Sequence, residues 1–188
     1  LVSIGVSCGV CGSGNWSYIS NANLPTWAWH AADDGVVGAG CSSSAISNIN
    51  AQNPAVKPYL TIWPTGQHWI WGRVYDVNYE AQHPNIYEWF LGQDKSKPVN
   101  QRPVANAGNN ISITTGIGAV TLNASGSFDP DGNIVRYVWK QTSGPVQTAL
   151  PNGGILSNAL ATITGLLTAG TYTYELRVID DRADWTTA

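Results

Sequence analysis

The sequence contains no methionine and few charged residues. Only 11% of its 188 residues are charged, and nine basic against twelve acidic side chains give a formal net charge of −3. Domains that bind nucleic acid carry a basic patch, so this composition argues against nucleic acid as a partner. No apolar run reaches about 18 residues, so we predict no membrane-spanning helix and no membrane insertion.

A targeting segment is also missing from the sequence. The chain begins at Leu1 with neither a methionine nor a signal peptide, so we expect a mature or truncated piece whose sorting signals lie outside it. What the chain does have is glycine, serine, asparagine, threonine and tryptophan in abundance, including 20 Gly and nine Trp. This composition favours a secreted, β-rich, extracellular protein.

The chain has only three cysteines, Cys8, Cys11 and Cys41. A Cys-x-x-Cys pair is typical of redox motifs and of half a zinc site, but the chain contains no second pair and the glycine-rich setting does not begin a helix. A disulfide between two of the three is the alternative, and the sequence does not say which two pair.

The first half of the chain alternates short apolar runs with segments of helical spacing. Such runs are typical of buried strands in a parallel sheet, and their alternation with helices indicates an α/β domain. The predicted strands are Leu1–Val6, Pro25–Trp29 and Tyr59–Trp63; the predicted helices are Ser42–Asn53 and Asn85–Leu91, the second starting at Pro84; and Ser7–Asn23 is predicted to be a long loop.

The pattern changes after a polar, proline-containing stretch. We predict a domain at 1–93, a linker at 94–102 and a second domain at 103–188. In the second domain Val120–Asn123, Ile134–Trp139 and Thr171–Val178 alternate in polarity, and Gly-containing turns separate them. Short strands at this spacing predict an all-β sandwich with Trp139 buried on one face.

Residues 103–188 resemble a PKD domain, an immunoglobulin-like sandwich found in secreted bacterial enzymes and surface proteins. The resemblance is carried by Pro103–Gly108, Leu122–Gly132, Tyr137–Pro145 and Tyr172–Asp181, while Ala183 stands where such modules usually have glycine. It implies a spacer or adhesion module without catalytic groups.

Several aspartates of this second domain lie in its turns. Asp129, Asp131 and Asp181, with Asp180 beside them, are candidates for a calcium site, because calcium prefers carboxylate and carbonyl oxygens. The alternative is that these carboxylates cap turns. We therefore predict no required cofactor, with structural calcium as an open option.

Residues 1–93 resemble the C-terminal portion of α/β-hydrolases of the dienelactone-hydrolase and predicted-peptidase type. The matching segments are Leu24–Val37, Ile62–Trp71 and Ile86–Leu91. The resemblance implies a partial α/β-hydrolase fold in which Asp34 is the triad acid and His68 the general base of a secreted esterase. The substrate it implies is an ester or a carbohydrate ester.

Other polar residues of this domain receive lesser roles. Asp33 is the rival for the acid, but its spacing from His30 favours Asp34; His30 is predicted to be structural and His83 to lie in a solvated loop. The geometry expected of the dyad is a carboxylate oxygen of Asp34 about 2.6–3.2 Å from a ring nitrogen of His68.

Three departures from the family pattern weaken the expected activity. Ala31 and Gln67 stand where glycine is expected, with Gly66 shifted by one position. Gly5–Gly9 has the sequence pattern G-x-S-x-G of a nucleophile elbow. We predict that Ser7 is nevertheless not the nucleophile, because a glycine-rich loop follows it instead of the helix that such an elbow requires.

Two functions therefore stay open. One is a fragment of a secreted multidomain serine esterase, inactive as this chain alone, that needs an upstream segment or a partner chain to complete its sheet. The other is a non-catalytic extracellular structural or adhesive protein that assembles by strand addition, even into a filament.

Overall fold

The chain forms two compact units in the computed structural model, Leu1–Asn100 and Gln101–Ala188. The structure describes residues 4–7, 12, 14–79, 83–114, 119–164 and 168–188, and within 4–7 it describes the backbone only. The division falls inside the predicted linker 94–102, and the exact bounds of the domains stay a prediction.

A parallel sheet of three described strands organises the first unit. Its strands are β1 (Ile4–Ser7), β2 (Thr26–Ala31) and β3 (Tyr59–Trp63), in the order β1-β2-β3. Trp29 pairs with Ser7 on one side and with Thr61 on the other. All six residues of β2 are buried, as expected of the central strand in a sheet with both faces covered.

Helices and turns connect these strands. Both predicted helices are present within a few residues of their expected bounds. A short helix inside the predicted loop Ser7–Asn23 and another after the third strand were not expected. The helices are α1 (Ser17–Asn21), α2 (Gly40–Ala51), α3 (Trp71–Tyr75) and α4 (Ile86–Gly92), and a 3₁₀ turn spans Gln67–Trp69.

The start of α4 corrects one prediction. Asn85, and not Pro84, caps the helix: its side chain accepts hydrogen bonds from the backbone of Tyr87 and Glu88, and Glu88 accepts from the backbone of Asn85. This reciprocal capping box satisfies donors that the first turn of a helix leaves without partners.

The core of this unit is rich in tryptophan. Trp27 stacks on Trp29 with ring centroids 4.4 Å apart, and its ring lies 5.6 Å from those of Tyr59 and Trp89. On α2, Ile46 and Ile49 pack with Ala28 in a second apolar cluster. The helices α2 and α4, the latter through Trp89, thus bury apolar side chains that the sequence spaces at helical intervals.

The second unit is an all-β sandwich, as predicted. Its described strands are β4 (Ala119–Asn123), β5 (Ile134–Ser143), β6 (Ile155–Leu156), β7 (Leu160–Thr164), β8 (Thr173–Asp180) and β9 (Trp185–Thr187). Among them, β4 and β7 form one antiparallel sheet, and the other sheet has four strands in the order β6-β5-β8-β9. Trp139 is 2% exposed in a core with Leu176 and Val178, which confirms its predicted burial.

Candidate active site

Asp34 and His68 meet beyond the carboxyl ends of two neighbouring parallel strands. Asp34 follows β2 by three residues, and His68 lies in the 3₁₀ turn that follows β3. Asp34 Oδ2 lies 3.0 Å from His68 Nδ1, within the distance expected from the sequence. The structure thus brings this predicted pair together, while its catalytic role stays a prediction.

The Asp34 carboxylate receives hydrogen bonds at both oxygens. Oδ1 accepts from the backbone N–H of Val36 at 2.8 Å and of Val37 at 2.9 Å. Oδ2 accepts from the His68 ring and, also at 3.0 Å, from Nε2 of His30. The carboxylate is inaccessible to solvent, so these donors replace water.

This environment sets the protonation of Asp34. Burial by itself raises the pKa of the carboxyl, because a buried charge is poorly solvated. The hydrogen bonds from Val37, His68 and Val36 outweigh burial and hold the pKa of Asp34 well below its usual range. The group is therefore ionised at neutral pH, as an acid that stabilises an imidazolium must be.

The hydrogen bond to Asp34 also fixes the tautomer of His68. A neutral ring that donates through Nδ1 carries its lone pair on Nε2, which is the arrangement of a general base. The His68 side chain is 23% exposed. Its ring meets Trp69 and Trp71 edge to face, with centroids 6.0 and 5.5 Å away, so two indoles border the base.

A strained turn delivers His68 to this position. Gly66 has φ of +143°, and a Cβ built there lies 2.6 Å from Cγ2 of Ile70, so the turn requires glycine at this residue. Gln67 follows with φ of +51°. The glycine that the resemblance places before the histidine is thus displaced by one residue, and Gln67 takes a left-handed conformation that glycine adopts more easily.

Asp33, the rival acid, has a different partner. Its Oδ1 accepts a hydrogen bond of 2.7 Å from the backbone N–H of Gln67. Asp33 therefore ties the loop after β2 to the turn that carries His68, whereas Asp34 pairs with the ring itself. The motif spacing from His30 had favoured the same assignment.

His30 is completely buried at the end of β2. Its Nδ1 lies 2.7 Å from Ser42 Oγ on α2, and its Nε2 lies near Asp34 Oδ2 and 2.7 Å from the carbonyl oxygen of Val37. The sequence predicted a structural histidine and missed its contact with Asp34. The sequence feature that could have indicated this contact is the four-residue spacing from His30 to Asp34 across the end of β2.

Ser7 is the last residue of β1. Its side chain is not described, and neither are residues 8–11. That Ser7 is not the nucleophile therefore stays a prediction. The helix that comes next in the described part of the chain begins only at Ser17. His83 is half-buried and directly precedes the cis-proline Pro84.

Cys41 is disulfide-bonded. This confirms that a disulfide includes one of the three cysteines, and the two other cysteines lie outside the described residues. Disulfides persist in oxidising compartments, in agreement with an extracellular protein.

The aspartates of the second unit converge in part. A Cβ built on Gly132 lies 2.7 Å from both Asp129 Oδ2 and Asp181 Oδ1, so these carboxylates border the same glycine. Asp131 accepts hydrogen bonds from the backbone N–H of Gln101. Burial, together with repulsion from nearby carboxylates, raises the pKa of Asp129, although a hydrogen bond from the backbone of Asp131 opposes this.

One oxygen of this cluster is unusual. Asp129 Oδ2 is buried and has no hydrogen-bond partner among the described residues. Within those same residues, no three acidic, histidine or cysteine side chains form a group that could hold a metal ion. Calcium at Asp129, Asp131 and Asp181 stays a prediction.

Comparison with known proteins finds a family that most of the second unit matches. Residues 107–188 match the family described as "K319L-like, PKD domain". The mouse "Dyslexia-associated protein KIAA0319-like protein" is 39% identical to the chain over 83 residues, and a rat "Dyslexia-associated protein KIAA0319 homolog" is 37% identical over 83 residues. Each alignment covers 44% of this chain and 7% of the relative, so the chain spans a small part of the length of these relatives.

A solved structure is also similar. "Solution structure of the PKD domain from KIAA 1837 protein" is 33% identical, covers 49% of this chain and 85% of that chain, and has a TM-score of 0.39. The family match supports a PKD domain at residues 107–188, a module of the extracellular adhesion or spacer type. The comparisons do not show an α/β-hydrolase portion, and no helix in the described residues is long and apolar enough to cross a membrane.

Proposed function

We propose that the first unit is the C-terminal portion of an α/β-hydrolase domain of a secreted esterase, with the PKD domain as its spacer or adhesion module. The observation that carries the proposal is the hydrogen bond from His68 Nδ1 to the buried Asp34 carboxylate at the ends of β2 and β3. In an α/β-hydrolase the acid and then the histidine follow the nucleophile along the chain. The serine belongs to a segment that precedes Leu1.

The chemistry of this pair is proton transfer. His68 Nε2 takes the proton of the serine hydroxyl as the serine attacks the ester carbonyl, and it returns the proton to the leaving alcohol. Asp34 keeps the ring in the required tautomer and stabilises the imidazolium that forms. Its pKa, held below the usual range by Val37, His68 and Val36 despite burial, keeps it ionised during this cycle.

The surroundings of His68 favour an uncharged substrate. Trp69 is 67% exposed and Trp71 is 37% exposed, and their rings lie 4.8 Å apart beside the base. Arg73 on α3 donates to the carbonyl oxygen of Thr65 and lies over the ring of Tyr79. An ester or carbohydrate ester that presents an apolar face to the indoles fits these neighbours.

Ester hydrolysis tests the proposal. In a polypeptide that includes the residues preceding Leu1, we expect hydrolysis of p-nitrophenyl acetate that falls by about 10⁴-fold or more in His68→Ala and in Asp34→Asn. The matched control is His83→Ala, which removes a histidine outside the dyad and should keep the rate. The 188-residue chain alone should hydrolyse the ester no faster than its own His68→Ala variant.

Two results contradict the proposal. If the longer polypeptide hydrolyses the ester at the same rate with and without the His68 ring, the dyad has no catalytic role. A rate of the 188-residue chain that disappears in both Ser7→Ala and His68→Ala makes Ser7 the nucleophile and removes the need for an upstream serine.

A second candidate is a non-catalytic adhesive protein that assembles by strand addition. It is favoured by the PKD domain and by β1, which pairs with β2 on one side only among the described strands. An unpaired strand edge is a template for another chain. Sedimentation that shows concentration-dependent association, together with no His68-dependent hydrolysis in the longer polypeptide, favours this candidate over the esterase.

A further inference from the structure

The Asp34 carboxylate is saturated with donors. A carboxylate has about four lone-pair positions, two on each oxygen. Val36 and Val37 donate to Oδ1, and His30 and His68 donate to Oδ2. Each position thus faces one donor, although the N–H of His30 is shared with the carbonyl oxygen of Val37. The orientation that Oδ2 offers to His68 depends on the donor that shares this oxygen.

The proton on His30 is assigned by its partners. Nε2 faces two groups that only accept, Asp34 Oδ2 at 3.0 Å and the carbonyl oxygen of Val37 at 2.7 Å. Nε2 therefore carries the proton, and Nδ1 of the neutral ring accepts from the hydroxyl of Ser42 at 2.7 Å. Ser42 is 2% exposed and His30 is 0% exposed, so water does not compete with these bonds.

We propose that His30 and Ser42 are positioning residues for His68. The hydrogen bonds run from Ser42 to His30 and from His30 to Asp34 Oδ2, the same oxygen that receives the His68 ring. The proposal rests on the proposed function for the catalytic role of His68, but the positioning itself is a property of this chain. Neither residue reaches the reacting atoms.

The physical effect is on the rotation of one carboxylate. Val36 and Val37 hold Oδ1 only, so without His30 the one described bond left at Oδ2 is that of His68, and the plane of the Asp34 carboxyl turns more easily about the anchored Oδ1. The lone pair of Oδ2 that accepts from His68 is then no longer held in the direction of Nδ1. Ser42 acts one step further away, because it keeps the His30 ring oriented with Nε2 toward Asp34.

Ring ¹⁵N NMR of the 188-residue chain measures this directly. At a pH where His68 is neutral, we expect its proton on Nδ1 in the wild-type chain and slow exchange of that proton with water. In His30→Leu the His68 ring should lose this preference, and the Nδ1 proton should exchange about tenfold faster or more, since a bond to a charged acceptor is weakened. Ser42→Ala should shift both readouts in the same direction, but less.

A conservative variant separates positioning from folding. His30→Gln keeps an N–H donor at about the distance of Nε2, so it should restore the proton on His68 Nδ1 even if it melts earlier than the wild type. The matched controls are His83→Leu for His30→Leu and Ser43→Ala for Ser42→Ala, because these remove the same groups elsewhere in the unit. Both controls should leave the His68 ring unchanged.

Each outcome decides the proposal. A folded His30→Leu chain whose His68 tautomer and proton exchange equal the wild type overturns it. If that variant does not fold, the wild-type ring spectrum of His30 decides instead: a proton on Nε2 supports the proposal and a proton on Nδ1 overturns it. These readouts do not depend on hydrolysis, so the positioning claim and the esterase proposal fail separately.

Discussion

At the scale of single residues, Asp34 combines complete burial with an unusually acidic carboxyl. Burial opposes its charge, yet the hydrogen bonds from Val37, His68 and Val36 reverse the effect and lower its pKa. The paired carboxylate was predictable from the spacing of the motif. The second histidine on its oxygen was not, because a sequence does not say which way a buried ring points.

The lowered pKa of Asp34 predicts a pH dependence of stability. A group whose pKa is lower in the folded than in the unfolded state stabilises the fold above its unfolded pKa, about 3.9, and this contribution is lost as the pH falls below that value. We therefore expect the free energy of unfolding to fall less steeply between pH 5 and pH 2 in Asp34→Asn than in the wild type. Urea titrations at each pH measure this.

The control for that experiment is Ser43→Ala, which removes a hydroxyl bonded to the backbone of Ala39 and no titratable group. It should follow the pH dependence of the wild type. An Asp34→Asn chain with the wild-type slope contradicts the effect of these hydrogen bonds on the pKa of Asp34.

Ala183 is strained in the turn between β8 and β9. Its φ is +58°, which is unfavourable for residues with a Cβ, and the sequence had already marked it as a position where similar modules have glycine. The backbone N–H groups of Arg182 and Asp184 donate to Asp180 Oδ1 and hold the turn in place. The strain therefore persists because neighbouring hydrogen bonds fix the backbone.

Ala183→Gly should stabilise the PKD domain. Relief of a left-handed alanine is worth about 1–2 kcal/mol, and the greater flexibility of unfolded glycine offsets about 0.5–1 kcal/mol, so we expect a net gain of up to about 1.5 kcal/mol. Thermal unfolding followed by circular dichroism measures it. The reverse control is Ala119→Gly on the exposed side of β4, which should lose about 0.5–1 kcal/mol. A lower stability than the wild type in both variants is incompatible with strain at Ala183.

At the scale of elements, the strands and the two longer helices followed their sequence patterns, but the short helices and turns did not. β3 has the predicted bounds, and the alternation in β8 correctly indicated a strand of the sandwich. The 3₁₀ turn at Gln67–Trp69 and helix α3 were missed, because each is too short to have a period. The element that carries the candidate base is thus the one that periodicity detects least well.

The turn before His68 gives a testable difference between two glycines. In Gly66→Ala the new Cβ meets Ile70 at a residue with φ of +143°, so we expect a loss of about 1–3 kcal/mol in the free energy of unfolding. Gly72→Ala is the matched control on α3, where a Cβ has no neighbour within 4 Å and should stabilise by up to about 1 kcal/mol. Equal effects of the two substitutions, measured by urea unfolding, are inconsistent with the strained turn.

At the scale of the whole molecule, the two units differ in how much their sequences reveal. The PKD domain was predictable because its turn motifs and alternating strands resemble those of the family that matches residues 107–188. The first unit pairs its three described strands in parallel, and the short apolar runs that form this sheet were visible in the sequence. Its sequence therefore indicated the strands and the candidate dyad, while the proposed hydrolase ancestry rests on the motif and its geometry.

The central claim is that Asp34 and His68 belong to a triad whose serine precedes Leu1. Labelling with a fluorophosphonate probe, followed by mass spectrometry of the labelled peptide, tests it most directly in a polypeptide that includes those preceding residues. The account predicts one labelled serine upstream of Leu1, with labelling that falls by about 10³-fold or more in His68→Ala and stays unchanged in His83→Ala. Labelling at Ser7, or labelling that is the same without the His68 ring, contradicts it.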